Sequence, residues 1–284
     1  MSASTGGHMT TIGLINPGQM GASVGAAATH SDATVLWASE GRSDATRERA
    51  ERGGLTDAGT LGQLVKDAEI ILSVCPPSEA TTVASTVIRH GFKGLYLEGN
   101  AIAPGRTHEI NTMLADAGAE MVDGGIIGGP AWRKEAGTVL HVSGPSASTI
   151  VDLFAGSPLH LNIISKDIGA ASTLKMAFAA YTKGSTALLS AILALAEIAG
   201  VREHLAHQWG ETFSTETARR VSANTAKAWR FVGEMEEIAA TFEGAGLPGG
   251  FHQAAAEVFR RQAEFKDQPT PKLDAVLTAM NKDN

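Results

Sequence analysis

A doubly wound α/β sheet followed by an all-α C-terminal domain is the architecture this 284-residue sequence predicts, and three observations carry it. From Thr10 onward, short apolar runs alternate with helical stretches, the pattern of parallel strands joined by crossover helices. A strand leading into a glycine-rich turn and a small-residue helix opens that pattern. Beyond Ser165 the strand signal stops, and Ala, Glu, Leu and Lys recur at helical spacing.

The runs that read as strands are 11–16, 34–37, 70–74, 95–98, 120–123, 139–143 and 161–164, each short and apolar. Between them 20–29, 42–52, 61–66, 78–89, 106–117 and 146–154 read as helices. The last domain opens with one long helix over 167–199, ended by Gly200, a residue that tolerates the left-handed backbone of a helix terminus. Its segment STALLSAILALAEIA is apolar on nearly every face, which calls for burial on all sides or a subunit interface; the patch argument favours the interface and hence a homodimer. Residues 1–9 lack the apolar core of a signal peptide and read as a leader outside the fold. That leaves 10–165 as the sheet domain and 166–284 as the helical domain.

Composition excludes several function classes. With 23 Lys and Arg against 30 Asp and Glu, the formal charge is −7, which speaks against a nucleic-acid surface. The single cysteine, Cys75, rules out an internal disulfide framework and a cysteine-built zinc site, and fits a reducing cytoplasm. No uninterrupted apolar run reaches eighteen residues, so no spanning helix is expected. His204, His207 and His252 lack nearby acids at ligand spacing, so no metal is assigned. The 32 glycines, about 11% of the chain against a usual ~7%, call for an explanation.

The glycine-rich turn supplies part of one. In Ile12-Gly13-Leu14-Ile15-Asn16-Pro17-Gly18-Gln19-Met20-Gly21, Gly18 leaves room for phosphates and Gly21 lets the following helix press on the sheet. That helix N-terminus offers free N–H groups and positive dipole to a dinucleotide pyrophosphate. Asn16 stands where the usual pattern has its first glycine, and asparagine tolerates left-handed backbone. After the next strand come Glu40, Gly41, Arg42 and Ser43. Arg42 and Ser43 suit the 2′-phosphate of NADP, whereas Glu40 is either the ribose acid of an NAD protein or a solvated charge. NADP (NADPH) is the favoured cofactor, NAD the lesser one.

From Thr10 onward the chain resembles the β-hydroxyacid dehydrogenase superfamily, which includes 3-hydroxyisobutyrate and 6-phosphogluconate dehydrogenases. Beyond the opening turn and Gly41-Arg42-Ser43, the resemblance rests on Cys75-Pro76-Pro77, Asn100-Ala101-Ile102-Ala103-Pro104, Asp123-Gly124-Gly125-Ile126-Ile127-Gly128-Gly129 and Gly169 with Lys175. Lys175-Met176 and the Trp229-to-Ala239 segment are similar to a branch whose helical C-terminal domain has no defined function. The resemblance implies a Rossmann-type domain that holds NADP through Asn16, Pro17, Gly18, Gln19, Met20, Arg42, Ser43, Cys75, Pro76, Pro77 and Asn100. It implies a substrate region of Ile127, Gly128, Gly129, Trp132 and Ala179, and Lys175 as the catalytic residue. Two positions depart from the family. Ile127 replaces a serine and Ala179, four residues after the lysine, replaces an asparagine, so two polar groups for a substrate carboxylate are missing.

These readings make the chain an NADP-dependent oxidoreductase that transfers hydride between nicotinamide and a small polar alcohol or carbonyl compound, with Lys175 as general acid/base. Its apolar and small neighbours Ala171, Leu174, Phe178 and Ala179 suit a cleft wall, where desolvation lowers a lysine pKa. Asn100 either touches the cofactor or the substrate oxygen or caps the next helix, and Arg133 either binds an anionic substrate or is a solvated loop cation. Glu234, Glu236 and Glu237 read as a solvated helix face paired with Arg230. Imine reduction is the alternative activity, although relatives that perform it commonly replace the lysine; a non-catalytic NADP sensor is the other.

Overall fold

The protein is described by a computed structural model over residues 9–31, 33–266 and 268–281. Apart from Met9, the leader assigned to residues 1–9 lies outside the described residues. The chain separates into two compact units, the second beginning at Met176.

The first unit is built in chain order from β1 (Thr11–Ile15), α1 (Gln19–Ala28), β2 (Thr34–Trp37), α2 (Asp44–Arg52), β3 (Thr56–Asp57) and α3 (Leu61–Asp67). There follow β4 (Ile70–Ser73), a 3-10 turn at Pro77–Glu79, α4 (Ala80–Arg89), β5 (Leu95–Glu98), α5 (Pro104–Asp116) and β6 (Glu120–Ile127). The unit closes with β7 (Val139–Ser143), α6 (Ala147–Leu153), β8 (His160–Ser165) and the start of α7 (Ala170–Ala179). Strand order in the eight-stranded sheet is β3-β2-β1-β4-β5-β6-β7-β8. This is the doubly wound α/β fold that the alternation predicted.

Helices cover both faces. Val24 and Ala27 of α1, Ala50 of α2 and Ile150 of α6 close over Leu14, Leu72, Leu97 and Leu140. On the opposite face Leu64 of α3, Val87 of α4 and Leu114 of α5 meet Ile15, Ile71 and Tyr96. Strands buried on both sides carry near-continuous aliphatic runs, and each such side chain contributes about 1.5–3 kcal/mol on burial. Two features escape the sequence pattern. The two-residue β3 is too short and too exposed to show periodicity. Strands β6 and β7 pair antiparallel, because residues 128–138 between them form only a 3-10 turn and no crossover helix.

Compactness carries the first unit past the end of β8, and the reason is local. The amide groups of Gly169 and Ser172 donate to Asp123 Oδ2 of β6 at 2.9 and 3.0 Å, and that of Ala171 to Ser143 Oγ of β7 at 3.1 Å. These bonds fasten the start of α7 to the sheet.

The second unit holds a π-helical turn at Ala180–Gly184, then α8 (Ser185–Ile198), α9 (Arg202–Trp209), α10 (Glu211–Thr225), α11 (Ala228–Gly244), α12 (Gly250–Arg261) and α13 (Leu273–Met280). Leu193 and Ala194 of α8, Val221 of α10 and Val276 and Leu277 of α13 form its core. Gly200 ends α8 at φ 66°, the left-handed conformation its position predicted. The helical stretch Ala170–Ile198 runs for 29 residues and holds an 18-residue window of mean hydropathy 1.3, so length and composition alone would let it cross a membrane, with 39% of that window buried. The sequence test misses this stretch because Lys175 and Lys183 interrupt it.

The acids of α11 do not form one solvated face paired with Arg230. Glu234 pairs with Lys183 at 2.8 Å with both side chains largely buried, Glu236 pairs with Arg260 at 3.1 Å on the surface, and Glu237 is buried. A helix packed inside a bundle, as Met235 and Ile238 require of α11, draws its flanking acids inward with it.

Candidate functional site

Strand order reverses between β1 and β4, and ligands of open α/β sheets bind outside the carboxyl ends of such strands. Asn16 leaves β1 there at φ 64°, the single positive-φ residue other than glycine among those described. The amide of Gly18 then turns back onto Asn16 O at 2.7 Å. A Cβ on Gly21 would stand 2.3 Å from Asn16 O, so only glycine lets α1 enter this close. A Cβ on Gly18 would meet nothing within 4 Å, and Gly18 opens α1 without a side-chain cap and with no acid in the first turn. Unclaimed N–H donors beside open space fit a pyrophosphate. Pro17 is buried, Gln19 is exposed, and Met20 packs partly into the core beneath. Gly13, read with the turn at the sequence level, serves packing instead: its missing side chain makes room for Leu64 of α3, 2.5 Å from where a Cβ would stand.

The segment after β2 reaches the same place. Exposed Arg42 donates from its guanidinium to Asn16 Oδ1, and exposed Ser43 precedes α2 with its Oγ 3.1 Å from Thr46 Oγ1. Glu40 is exposed. Sequence reasoning missed Arg49, which donates from α2 to Pro17 O at 3.2 Å and ties that helix to the glycine turn. Its distance of 32 residues from Pro17 hid the contact.

Across the crevice, the loops after β4 and β5 are bolted together by Asn100. Its Oδ1 accepts from the Cys75 amide at 2.5 Å, its Nδ2 donates to Ser73 Oγ at 3.1 Å, and its own amide donates to Glu98 Oε1 at 3.0 Å. Helix α5 begins at Pro104 after Ala103, so Asn100 does not cap it. Arg106 holds Pro77 O at 3.1 Å, fixing the proline pair beyond Pro76. Burial, and then the Glu98 carboxylate, push the Cys75 thiol up to about 12, which removes it as a nucleophile.

Residues 11–151 match the family described as the NAD binding domain of 6-phosphogluconate dehydrogenase, and residues 196–262 match a domain of unknown function, DUF1932. Residues 11–151 of this chain thus form an NAD-binding domain of the 6-phosphogluconate dehydrogenase type. An uncharacterized 28.5 kDa protein from Methanothermus fervidus is 30% identical over 175 residues, 61% of this chain and 66% of that protein, so the match spans just under two thirds of that relative. A 3-hydroxyisobutyrate dehydrogenase from Mycobacterium tuberculosis, solved with L-serine, superposes with a TM-score of 0.68 at 16% identity, covering 96% of this chain and all of that one (100%). An imine reductase from Streptomyces aurantiacus gives a TM-score of 0.52 at 18% identity over 96% and 100% of the two chains. At such identities the two structures speak for the fold.

In this chain the Asp123-to-Gly129 segment is mostly not a loop. Asp123 through Ile127 belong to β6, Ile127 pairing with Val139, and only Gly128 and Gly129 leave the strand. Gly128 sits at φ 125° against Thr138, whose Oγ1 donates to Gly129 O at 2.6 Å. Gly125 has a different task. A Cβ there would lie 2.6 Å from Ala171 O and 3.1 Å from Lys175 Cβ, so its absence seats α7 and Lys175 directly on β6. Asp123, fully buried, completes that seat by also accepting from Ser172 Oγ at 2.5 Å and Ser143 Oγ at 3.0 Å. Lys175 is half-buried, and Ala179, in the second unit, is fully buried. Trp132 stacks under Arg52 of α2 at 4.3 Å, and Ala131 donates to Ser23 Oγ of α1 at 2.9 Å, so that segment is held on the α1 and α2 side. Among the described residues no three His, Cys, Asp or Glu cluster to hold a metal.

Proposed function

We propose that this NAD(P)-binding oxidoreductase prefers NADP and acts on a small polar alcohol or carbonyl compound, with Lys175 as general acid/base. The observation that carries the cofactor choice is Arg42, exposed beside β2 and bonded to Asn16 at the glycine turn, where a 2′-phosphate would find a fixed guanidinium. Ser43 adds a hydroxyl. The α1 amides and the space at Gly18 would hold the pyrophosphate, and the Cys75, Pro76 and Pro77 loop with Asn100 would flank the nicotinamide end.

The bound nicotinamide supplies the hydride. The chain's part is to orient the substrate and to handle the proton at its oxygen. Lys175 is suited to that task because α7 enters rigidly on Gly125 and Asp123, which limits where its side chain can reach. With Ile127 and Ala179 apolar, substrate polarity must be met elsewhere, so simple 3-hydroxy acids are poor candidates. Imine reduction remains the second activity, supported by the likeness to an imine reductase and opposed by the retained Lys175. Leu188, Leu195 and Ile198 are exposed along α8, which supports a homodimer through the helical unit; light scattering that finds a monomer at micromolar concentration would refute it. The free thiol of Cys75 supports a cytoplasmic setting.

The test is a panel of hydroxy acids, polyols, phosphonates and cyclic imines with NADPH and NADP+ on the wild type and Lys175→Ala. Turnover that survives the substitution refutes the role of Lys175.

A further inference from the structure

A polar row crosses the middle of the sheet where an apolar layer is the rule. Ser73 pairs with Glu98, Glu98 with Asp123 and Asp123 with Ser143, so these four side chains share one face. All four are fully buried. Asp123 is saturated by donors from α7 and β7. Glu98 is not: Oε1 accepts the Asn100 amide, while Oε2 is buried with no partner. Two residues back on the same face, Tyr96 Oη is also buried and unpartnered.

We propose that Glu98, as a neutral carboxylic acid, is a positioning residue that holds Asn100 and, through it, the Cys75–Pro77 loop against the cofactor crevice. This inference rests on the cofactor reading above. The chain of contacts is continuous, from Glu98 Oε1 to the Asn100 amide and from Asn100 Oδ1 to the Cys75 amide, with Ser73 Oγ bracing the Asn100 Nδ2. An ionised carboxylate with one oxygen unpartnered could not stay dry, so ionisation would open the end of β5 to water and loosen the link.

Burial and the nearest carboxylate together favour the neutral form. Burial first, and then the Asp123 carboxylate on β6, raise Glu98 to about 8, against the lowering effect of its bonds to Asn100. The Cys75 thiol in the loop after β4 and the Tyr96 phenol on β5 are themselves held protonated by burial and by Glu98. From α5 and α7 the groups over the row are the Thr107 and Ser172 hydroxyls, 2.9 Å apart, with Lys175 seated further along over Gly125. Because the folded value lies above the ordinary 4.5, the folded state binds the extra proton between pH 4.5 and 8; stability attributable to Glu98 therefore falls across that window and is flat above it.

Wild type and Glu98→Gln are compared from pH 6 to 9.5 by hydrogen exchange at the Cys75 and Asn100 amides, NADPH titration and denaturant unfolding. In the wild type, protection at Cys75 and NADPH affinity should both fall above pH 8, by roughly fivefold or more relative to Glu98→Gln at pH 9.5. Stability of the wild type should fall relative to the variant up to pH 8. Parallel pH curves for the two proteins would overturn the proposal. Absence of NADPH binding at every pH would instead defeat the cofactor reading, leaving exchange at Cys75 to decide the role of Glu98. If Glu98→Gln does not fold, Asn100→Ala replaces it: Cys75 should then lose protection at every pH, and a retained step near pH 8 would overturn the link.

Discussion

A side chain added at Gly18 would meet nothing within 4 Å, whereas one added at Gly125 would meet the Ala171 carbonyl at 2.6 Å and Lys175 Cβ at 3.1 Å. Gly18 opens α1, and Gly125 lies on β6 beneath α7. At Gly18 the space left over is open and bordered by unclaimed amide donors, as a ligand requires. At Gly125 the space is taken by the chain itself, and what is gained is the position of α7. Glycine in a sequence thus reports that something approaches the backbone, and the fold decides whether it is a ligand or another helix.

Substitutions separate the two cases, and the largest effect is expected where the Gly125 seat delivers its lysine. Lys175→Ala should lower kcat by about 10²–10⁴-fold while leaving NADPH affinity unchanged, read by steady-state kinetics and fluorescence titration. Gly125→Ala should cost about 2–3 kcal/mol in denaturant unfolding, since the new methyl must displace the backbone of α7. Gly18→Val should invert that pattern, with stability within about 0.5 kcal/mol of wild type and NADPH affinity lowered roughly tenfold. Arg42→Ala should weaken NADPH by about 1–2 kcal/mol and leave NADH untouched, measured by calorimetry. Equal losses for both cofactors would make Arg42 a brace for Asn16 and not a reader of phosphate.

The first unit was more legible than its inner workings. Strand and helix alternation placed β1, β2, β4, β5, β7, the first half of β6 and the largely exposed β8, because each is a short run with aliphatic residues. The left-handed backbone at Asn16 followed from side-chain chemistry alone. What depends on two distant segments meeting could not be read: Arg49 on Pro17, Arg52 under Trp132, and Asp123 gathering the start of α7. Glu98 was hidden for the same reason, since a single acid at a strand end looks solvated until the register places Ser73 and Asp123 beside it. In the helical unit, spacing placed Met235 and Ile238 inside but assigned Glu234 and Glu237 to solvent, because helical periodicity does not reveal which further faces are covered.

The proposed activity requires that the crevice between β1 and β4 hold a phosphorylated dinucleotide. Its most direct test is a fluorescence or calorimetric titration of the wild-type protein with NADPH and with NADH at neutral pH. Tighter binding of NADPH, weakened roughly tenfold by blocking the space at Gly18, is the expected result. Tighter binding of NADH would contradict the role given to Arg42 and Ser43, and failure of both to bind would contradict the site itself.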